Sequence, residues 1–256
     1  MERLDTRVRD FVYPSVIRAA LTVFRGFGFR FDMRGVENIP ATGGAVLASN
    51  HVSYFDFMFV GLPGWRRGKR FVRFMAKEAV FRHRVSGPLM RGMHHIPVDR
   101  SAGAAAYGHA LDALRNGEIV GVFPESTIAR SYVQRPLKSG AARLAIEAGV
   151  PLIPVLTWGG HRVWTSGRRP QWQRRVPVTI WVDRPLPIAA DDTPATLTDK
   201  LAARLRELLD EALAAYPASD EDRQSWWWPA HLGGAAPTQE AAAAAEHSSV
   251  SRPRSA

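Results

Sequence analysis

Short apolar runs recur along the chain, separated by stretches whose apolar residues return every three or four positions. Ala45–Ala48, Phe71–Met75, His94–Val98, Glu118–Phe123, Val150–Leu156 and Val176–Val182 are such runs. Each reads as a strand, and Phe31–Val36 reads as a further short one. Residues 55–62, 86–93, 102–116, 139–148 and 197–216 carry the helical period. Asn116-Gly117 and Gly149 stop two of these segments, as glycine does at helix C-termini. Strands alternating with helices predict an α/β fold: a single domain, residues 33–216, with a largely parallel mixed sheet flanked by helices. Pro151 and Pro154 predict that the run 150–156 is short or lies at a sheet edge.

The two ends read differently. In residues 7–30, Phe11, Val12, Val16, Ile17, Ala20, Leu21 and Phe24 recur at helical spacing, with Arg18 and Arg25 on other faces. The pattern fits a helix lying in a bilayer interface and equally one packed on the domain. Residues 1–32 are thus expected to form an amphipathic, membrane-associating helical segment. Residues 217–256 form the other end. Trp226-Trp227-Trp228 suits a bilayer interface or a packed cluster, with packing favoured because Trp is well buried on average. Beyond Leu232 the Ala, Gly, Pro, Ser and Glu content predicts a disordered tail.

Composition narrows the chemistry. The 256 residues include no Cys, which excludes disulfides, thiolate catalysis and Cys-ligated zinc. The net charge is +10. Ten Lys and Arg residues against two acids fall between Arg66 and Arg100, which predicts phosphate-bearing partners such as anionic lipid, nucleic acid or a nucleotide. No charge-free apolar run of spanning length and no signal peptide is expected. His94 and His95 are adjacent and would face opposite ways in a strand, so they suggest no metal site.

Between two apolar runs lies Ser49-Asn50-His51-Val52-Ser53-Tyr54-Phe55-Asp56. His suits general-base work near neutral pH, and an Asp within reach fixes its tautomer. The five-residue spacing works if His51 sits in a turn and Asp56 in the first turn of the next helix. Taken alone, the same stretch also fits cap residues, a first-turn acid and a structural histidine.

Four blocks follow in order: Asn50-His51-x4-Asp56, Ile96-Pro97-Val98-Asp99-Arg100, Phe123-Pro124-Glu125-Ser126-Thr127, and Val150-Pro151-Leu152-Ile153-Pro154-Val155. With Lys77-Glu78 and Lys138-Ser139-Gly140, they resemble the glycerolipid acyltransferase superfamily, whose best-known members are 1-acylglycerol-3-phosphate acyltransferases. The resemblance runs from about residue 33 to 185. It implies transfer of a fatty acyl group from acyl-CoA or acyl carrier protein to the free hydroxyl of 1-acylglycerol-3-phosphate. His51 would be the base and Asp56 its orienting partner, by direct attack without an acyl-enzyme. No G-x-S-x-G elbow is present, and no second base is in view for Ser53. Lys77, Arg100, Glu125, Ser126, Thr127 and Arg130 fall on the acceptor side, with no cofactor or metal. The implied partners are the lysophospholipid, the acyl donor and an anionic membrane surface, with no nucleic acid, since the chain carries no recognisable nucleic-acid motif. The implied location is the cytoplasmic face of the cell membrane, peripheral or monotopic. Two departures bear on the acceptor: Ser126 replaces a family Gly, and Ile128 stands where the family has Arg, with Arg130 two positions later. Another lysophospholipid or a glycolipid is therefore an alternative acceptor, and a non-catalytic basic lipid-binding protein is a second alternative.

Overall fold

The computed structural model describes residues 11–99 and 103–250, with side chains to residue 245. Seven strands form one sheet: β1 (Arg30–Arg34), β2 (Ala45–Ser49), β3 (Val72–Lys77), β4 (Ile96–Val98), β5 (Ile119–Val122), β6 (Leu152–Trp158) and β7 (Pro177–Val182). The order across the sheet is β1-β7-β6-β2-β5-β3-β4. Only the β6–β7 pairing is antiparallel, so five strands from β6 to β4 run one way and β1 and β7 the other. The chain forms a single α/β domain with a mostly parallel mixed sheet between helices.

Both faces of the central strands are buried, as covering helices require. Val46, Ala48, Val120, Leu152 and Leu156 point to one side. There they meet α5 (Gly103–Arg115), α6 (Gly140–Ala148) and α7 (Pro194–Ala215), whose Leu201, Leu205 and Leu208 recur at helical spacing. Alternate residues Ala45, Leu47, Ile119, Ile153 and Val155 face the other side. Val60 of α2 (Asp56–Arg66) covers them there. α1 (Val12–Gly26) packs outside α2, burying Tyr13, Ile17 and Phe24, while Phe11 and Val23 stay exposed. Two short helices, α3 (Glu78–Arg82) and α4 (Ser86–Gly92), bridge β3 and β4. Among the described residues no helix is long and apolar enough to cross a membrane.

Three expectations are corrected. First, β6 is neither short nor at an edge; it is seven residues long, fully buried, and lies between β2 and β7. Pro151 precedes the strand, and Pro154 fits because a strand residue's N–H and C=O point to the same side. The Pro154 carbonyl accepts from Asp183 N at 2.9 Å, just past the end of β7. The missing Pro154 donor therefore faces the place where the ladder has stopped.

Second, the basic run from 66 to 100 is not one free patch. Arg67 donates to the Ile39 carbonyl, and Arg70 to the carbonyls of Pro40, Gly43 and Gly117. Arg73 is buried against Glu118 and the Met93 carbonyl, and Arg91 donates to the Phe81 carbonyl. Arg70 thus ties together the loops that feed β2 and β5, at the opposite end of the sheet from their C-termini.

Third, the tail is helical over α9 (Gln239–Val250) after the short α8 (Asp220–Arg223). Alanine is the best helix former, and the Thr238 hydroxyl accepts from Ala241 N at the helix start. Trp227 and Trp228 are buried in the core with Trp158 and Tyr216.

Candidate active site

The five parallel strands end on one edge of the sheet, where α/β ligands bind. His51 and Glu125 follow β2 and β5, and Lys77 ends β3; these strands are neighbours there. Arg100, after β4, lies outside the described residues.

Asn50 carries the β2–β6 ladder one step further with its side chain. Its amide donates to the Thr157 carbonyl at 2.9 Å, and its Oδ1 accepts from Thr157 N at 2.8 Å. This anchors the turn that begins at His51. Asp56 opens α2 and has no solvent exposure. Its Oδ2 accepts from Val52 N and Ser53 N, both at 2.7 Å, and lies 3.0 Å from His51 Nδ1. Its Oδ1 accepts from the Thr157 hydroxyl at 3.0 Å. A carboxylate only accepts, so the contact favours hydrogen on His51 Nδ1 and leaves the Nε2 lone pair for a substrate. The His51 ring stacks on Phe123, with centroids 4.3 Å apart, and keeps 20% of its side chain exposed. This arrangement can take a proton from a hydroxyl group, with the resulting imidazolium facing a buried carboxylate.

Glu125 lies under the same turn. Its Oε1 accepts from His51 N at 3.1 Å and its Oε2 from Arg135 N at 3.2 Å. Burial, with the Asp56 charge adding to it, pushes the Glu125 carboxyl up to about 8; the two N–H groups and Arg135 act the other way. The acid therefore sets the backbone of the turn through hydrogen bonds from main-chain N–H groups. Ser126, next along, has φ +63° and is exposed. Thr127 is half-buried in the same loop. Ile128 is buried, and Ala129 N donates to the His51 carbonyl at 2.7 Å. Arg130 is half-buried, and its Nε meets the Ser166 hydroxyl at 3.3 Å. Lys77 is exposed at the end of β3. It lies two strands from β2, about 10 Å at the usual strand spacing.

The structure thus brings His51, Asp56 and Glu125 into one hydrogen-bonded unit, with Arg130 beside it and Lys77 further along the edge. Residues that sequence reasoning missed are Thr157, Thr165 and Trp164. The Thr165 hydroxyl donates to the Val52 carbonyl, and the Trp164 carbonyl accepts from Ser53 Oγ and Tyr54 N. The sequence carries no signal for these, because each acts from more than a hundred residues away. Tyr54 and Trp164 also form an exposed aromatic pair, centroids 4.6 Å apart, at the rim of the turn. His94 and His95 do point apart: His94 is exposed, and buried His95 spends its Nδ1 lone pair on Phe74 N.

The acyltransferase family profile matches residues 30–158. A 1-acyl-sn-glycerol-3-phosphate acyltransferase of Bacillus subtilis is 29% identical over 185 residues, 67% of this chain and 84% of the relative. A protein of the same name from Limnanthes douglasii is 30% identical over 206 residues, 76% of this chain and 66% of the relative. The crystal structure of a 1-acyl-sn-glycerophosphate (LPA) acyltransferase from Thermotoga maritima superposes with a TM-score of 0.68. That match covers 86% of each chain at 22% identity, a likeness of fold.

Proposed function

The chain belongs to the acyltransferase family, and from that membership we propose that it moves a fatty acyl group from acyl-CoA or acyl carrier protein to the free hydroxyl of 1-acylglycerol-3-phosphate, giving phosphatidic acid. The observation that carries this reading is the contact of His51 Nδ1 with a fully buried Asp56 that is held by two backbone N–H groups. His51 Nε2 takes the hydroxyl proton as the acceptor oxygen attacks the thioester carbonyl carbon. The C–S bond then breaks, and the leaving thiolate recovers the proton from the imidazolium. Asp56 holds the ring and stabilises its charge. Glu125 keeps the turn in place, and Arg130, Lys77, Ser126 and Thr127 serve the acceptor side, to which the motif also assigns Arg100. Guanidinium and ammonium groups suit a phosphate, and the exposed Tyr54–Trp164 pair suits an acyl chain.

One observation favours a second acceptor. Ile128, where the family has Arg, is buried, so no charge comes from that position. Arg130, two positions on, leans on Ser166. A lysophospholipid with another head group, or a glycolipid, fits such a loop as well. A non-catalytic lipid-binding role is the third reading.

Thiol release from a long-chain acyl-CoA, with and without lysophosphatidic acid, tests the proposal. Release is expected to need the acceptor and to fall by about a hundredfold to ten-thousandfold in His51→Ala. Release only with a different lysolipid moves the assignment to that acceptor. No release with any acceptor, from CoA or from carrier-protein thioester, leaves the binding role.

A further inference from the structure

The turn that holds His51 and Asp56 has a wall, the loop from Gly159 to Thr165. The wall grips the turn through three hydrogen bonds. Ser53 Oγ and Tyr54 N donate to the Trp164 carbonyl at 2.9 and 3.2 Å, and Thr165 Oγ1 donates to the Val52 carbonyl at 2.7 Å. Contact is close enough that a Cβ on Gly160 would lie 2.6 Å from the Phe59 ring and 3.1 Å from Ser53 Oγ.

From behind, the wall is held by the C-terminal segment. The side chain of His161 is fully buried among Trp158, Tyr132 and Trp227, with ring centroids 4.3, 4.6 and 6.1 Å away. Its Nε2 lies 3.1 Å from the Trp227 carbonyl oxygen. That oxygen only accepts, so Nε2 carries the hydrogen. Burial pushes the ring down to about 3, so it is neutral. The adjacent Arg162 lies over the Trp227 ring at 4.0 Å and reaches Asp222 at 3.3 Å. Two consecutive residues thus tie the wall to a segment more than fifty positions away. A pocket that needed only filling would accept phenylalanine. An imidazole in it is costly unless its hydrogen bond is made, so its value lies in the direction of that bond.

We infer that His161 is a positioning residue for acyl transfer: its hydrogen bond to Trp227 sets the 159–165 loop, and through that loop the Val52 and Ser53 N–H groups that hold Asp56. The inference rests on the reading of His51 and Asp56 as the catalytic pair. The reach is short, from His161 through Trp164 and Thr165 to Val52, Ser53 and Tyr54. A displacement on the order of 1 Å at a catalytic group costs about a hundredfold.

The test compares His161→Phe, His161→Gln and Arg162→Gln in the full chain, with His51→Ala as the control. Thiol release gives kcat and KM well below each variant's Tm, and proton NMR follows the low-field signal of the hydrogen between His51 and Asp56. His161→Phe is expected to lower kcat about tenfold to a hundredfold, with KM for donor and acceptor within about twofold, and to broaden or shift that signal. His161→Gln, whose amide N–H can reach the same carbonyl, recovers most of the kcat. If His161→Phe does not fold, Arg162→Gln decides, with the same split expected. Wild-type kcat and an unchanged signal in the folded variants overturn the inference, as does a glutamine variant no better than phenylalanine. Loss of turnover in His51→Ala beside wild-type behaviour in His161→Phe overturns this inference alone. Full turnover in His51→Ala overturns the catalytic pair and this inference with it.

Discussion

At Glu125 two demands conflict. Its carboxyl is buried, which favours the neutral acid, yet both oxygens accept backbone N–H groups, which favours the anion. Burial wins, and the group stays protonated to about pH 8. A raised carboxyl means that the folded protein binds a proton the unfolded chain has released. Stability from this group is therefore full below the ordinary carboxylate range and is lost as pH rises through about 8. Glu125→Gln keeps one acceptor oxygen but turns an NH2 group toward the other N–H, a loss of about 1–3 kcal/mol. Urea unfolding is expected to show the variant weaker at pH 5, with the gap narrowing toward pH 9. A constant gap would mean that Glu125 is ionised in the fold. Its neighbour Ser126 occupies the left-handed region at φ +63°, which costs a non-glycine residue about 1–2 kcal/mol. Ser126→Gly should raise the unfolding free energy by about 0.5–1 kcal/mol, because relief of strain exceeds the added freedom of the unfolded chain. A lower urea midpoint would show that the serine side chain holds the turn. At this scale the contact of His51 with Asp56 was legible from their spacing, whereas Glu125 was expected on the acceptor side and its hold on the His51 N–H was not legible; the left-handed turn was legible only from the glycine that the resemblance places there. Thr157 and Thr165 were not legible, because a threonine looks the same in the sequence whether or not its hydroxyl meets a distant carboxylate or carbonyl.

Elements were legible where a period or a stop signal acts locally. The strand runs, the glycine stop at Gly149 and the amphipathic α7 need nothing beyond near neighbours. β6 shows where such rules fail. Proline disfavours an inner strand because it lacks a donor, but the cost depends on whether a partner carbonyl faces it, and beside Pro154 β7 has already ended. The arginines between β2 and β5 fail in a similar way. In the sequence they add up to a phosphate patch, whereas in the fold several cap loop carbonyls at the far end of the sheet. Charge counts carry no information about which end of a strand a side chain serves. α9 marks the limit of composition as a guide, since alanine lowers complexity and favours helix at the same time.

For the molecule as a whole, the strand order matters most. β5 inserts between β2 and β3, so the turns after β2 and β5 meet and the Glu125 oxygen reaches the His51 N–H. α1 buries one face on the domain and leaves Phe11 and Val23 exposed, and Val85, Leu89 and Trp172 are exposed as well. We propose peripheral or monotopic attachment at the cytoplasmic face, and one extraction separates the two forms: alkaline carbonate releases the full chain if it is peripheral, and a requirement for detergent excludes the purely peripheral form. The sequence by itself determined the α/β alternation, the His51–Asp56 pair and the four ordered blocks, because these depend on periodicity and on residue types at short separations. Tertiary structure alone decided that the Thr157 hydroxyl reaches Asp56, that Arg67, Arg70 and Arg73 of the basic run turn to loop carbonyls and Glu118, and that Trp227 grips the wall of the site through His161. Each of these joins residues that the chain keeps apart, and only strand order and packing bring them within hydrogen-bond distance.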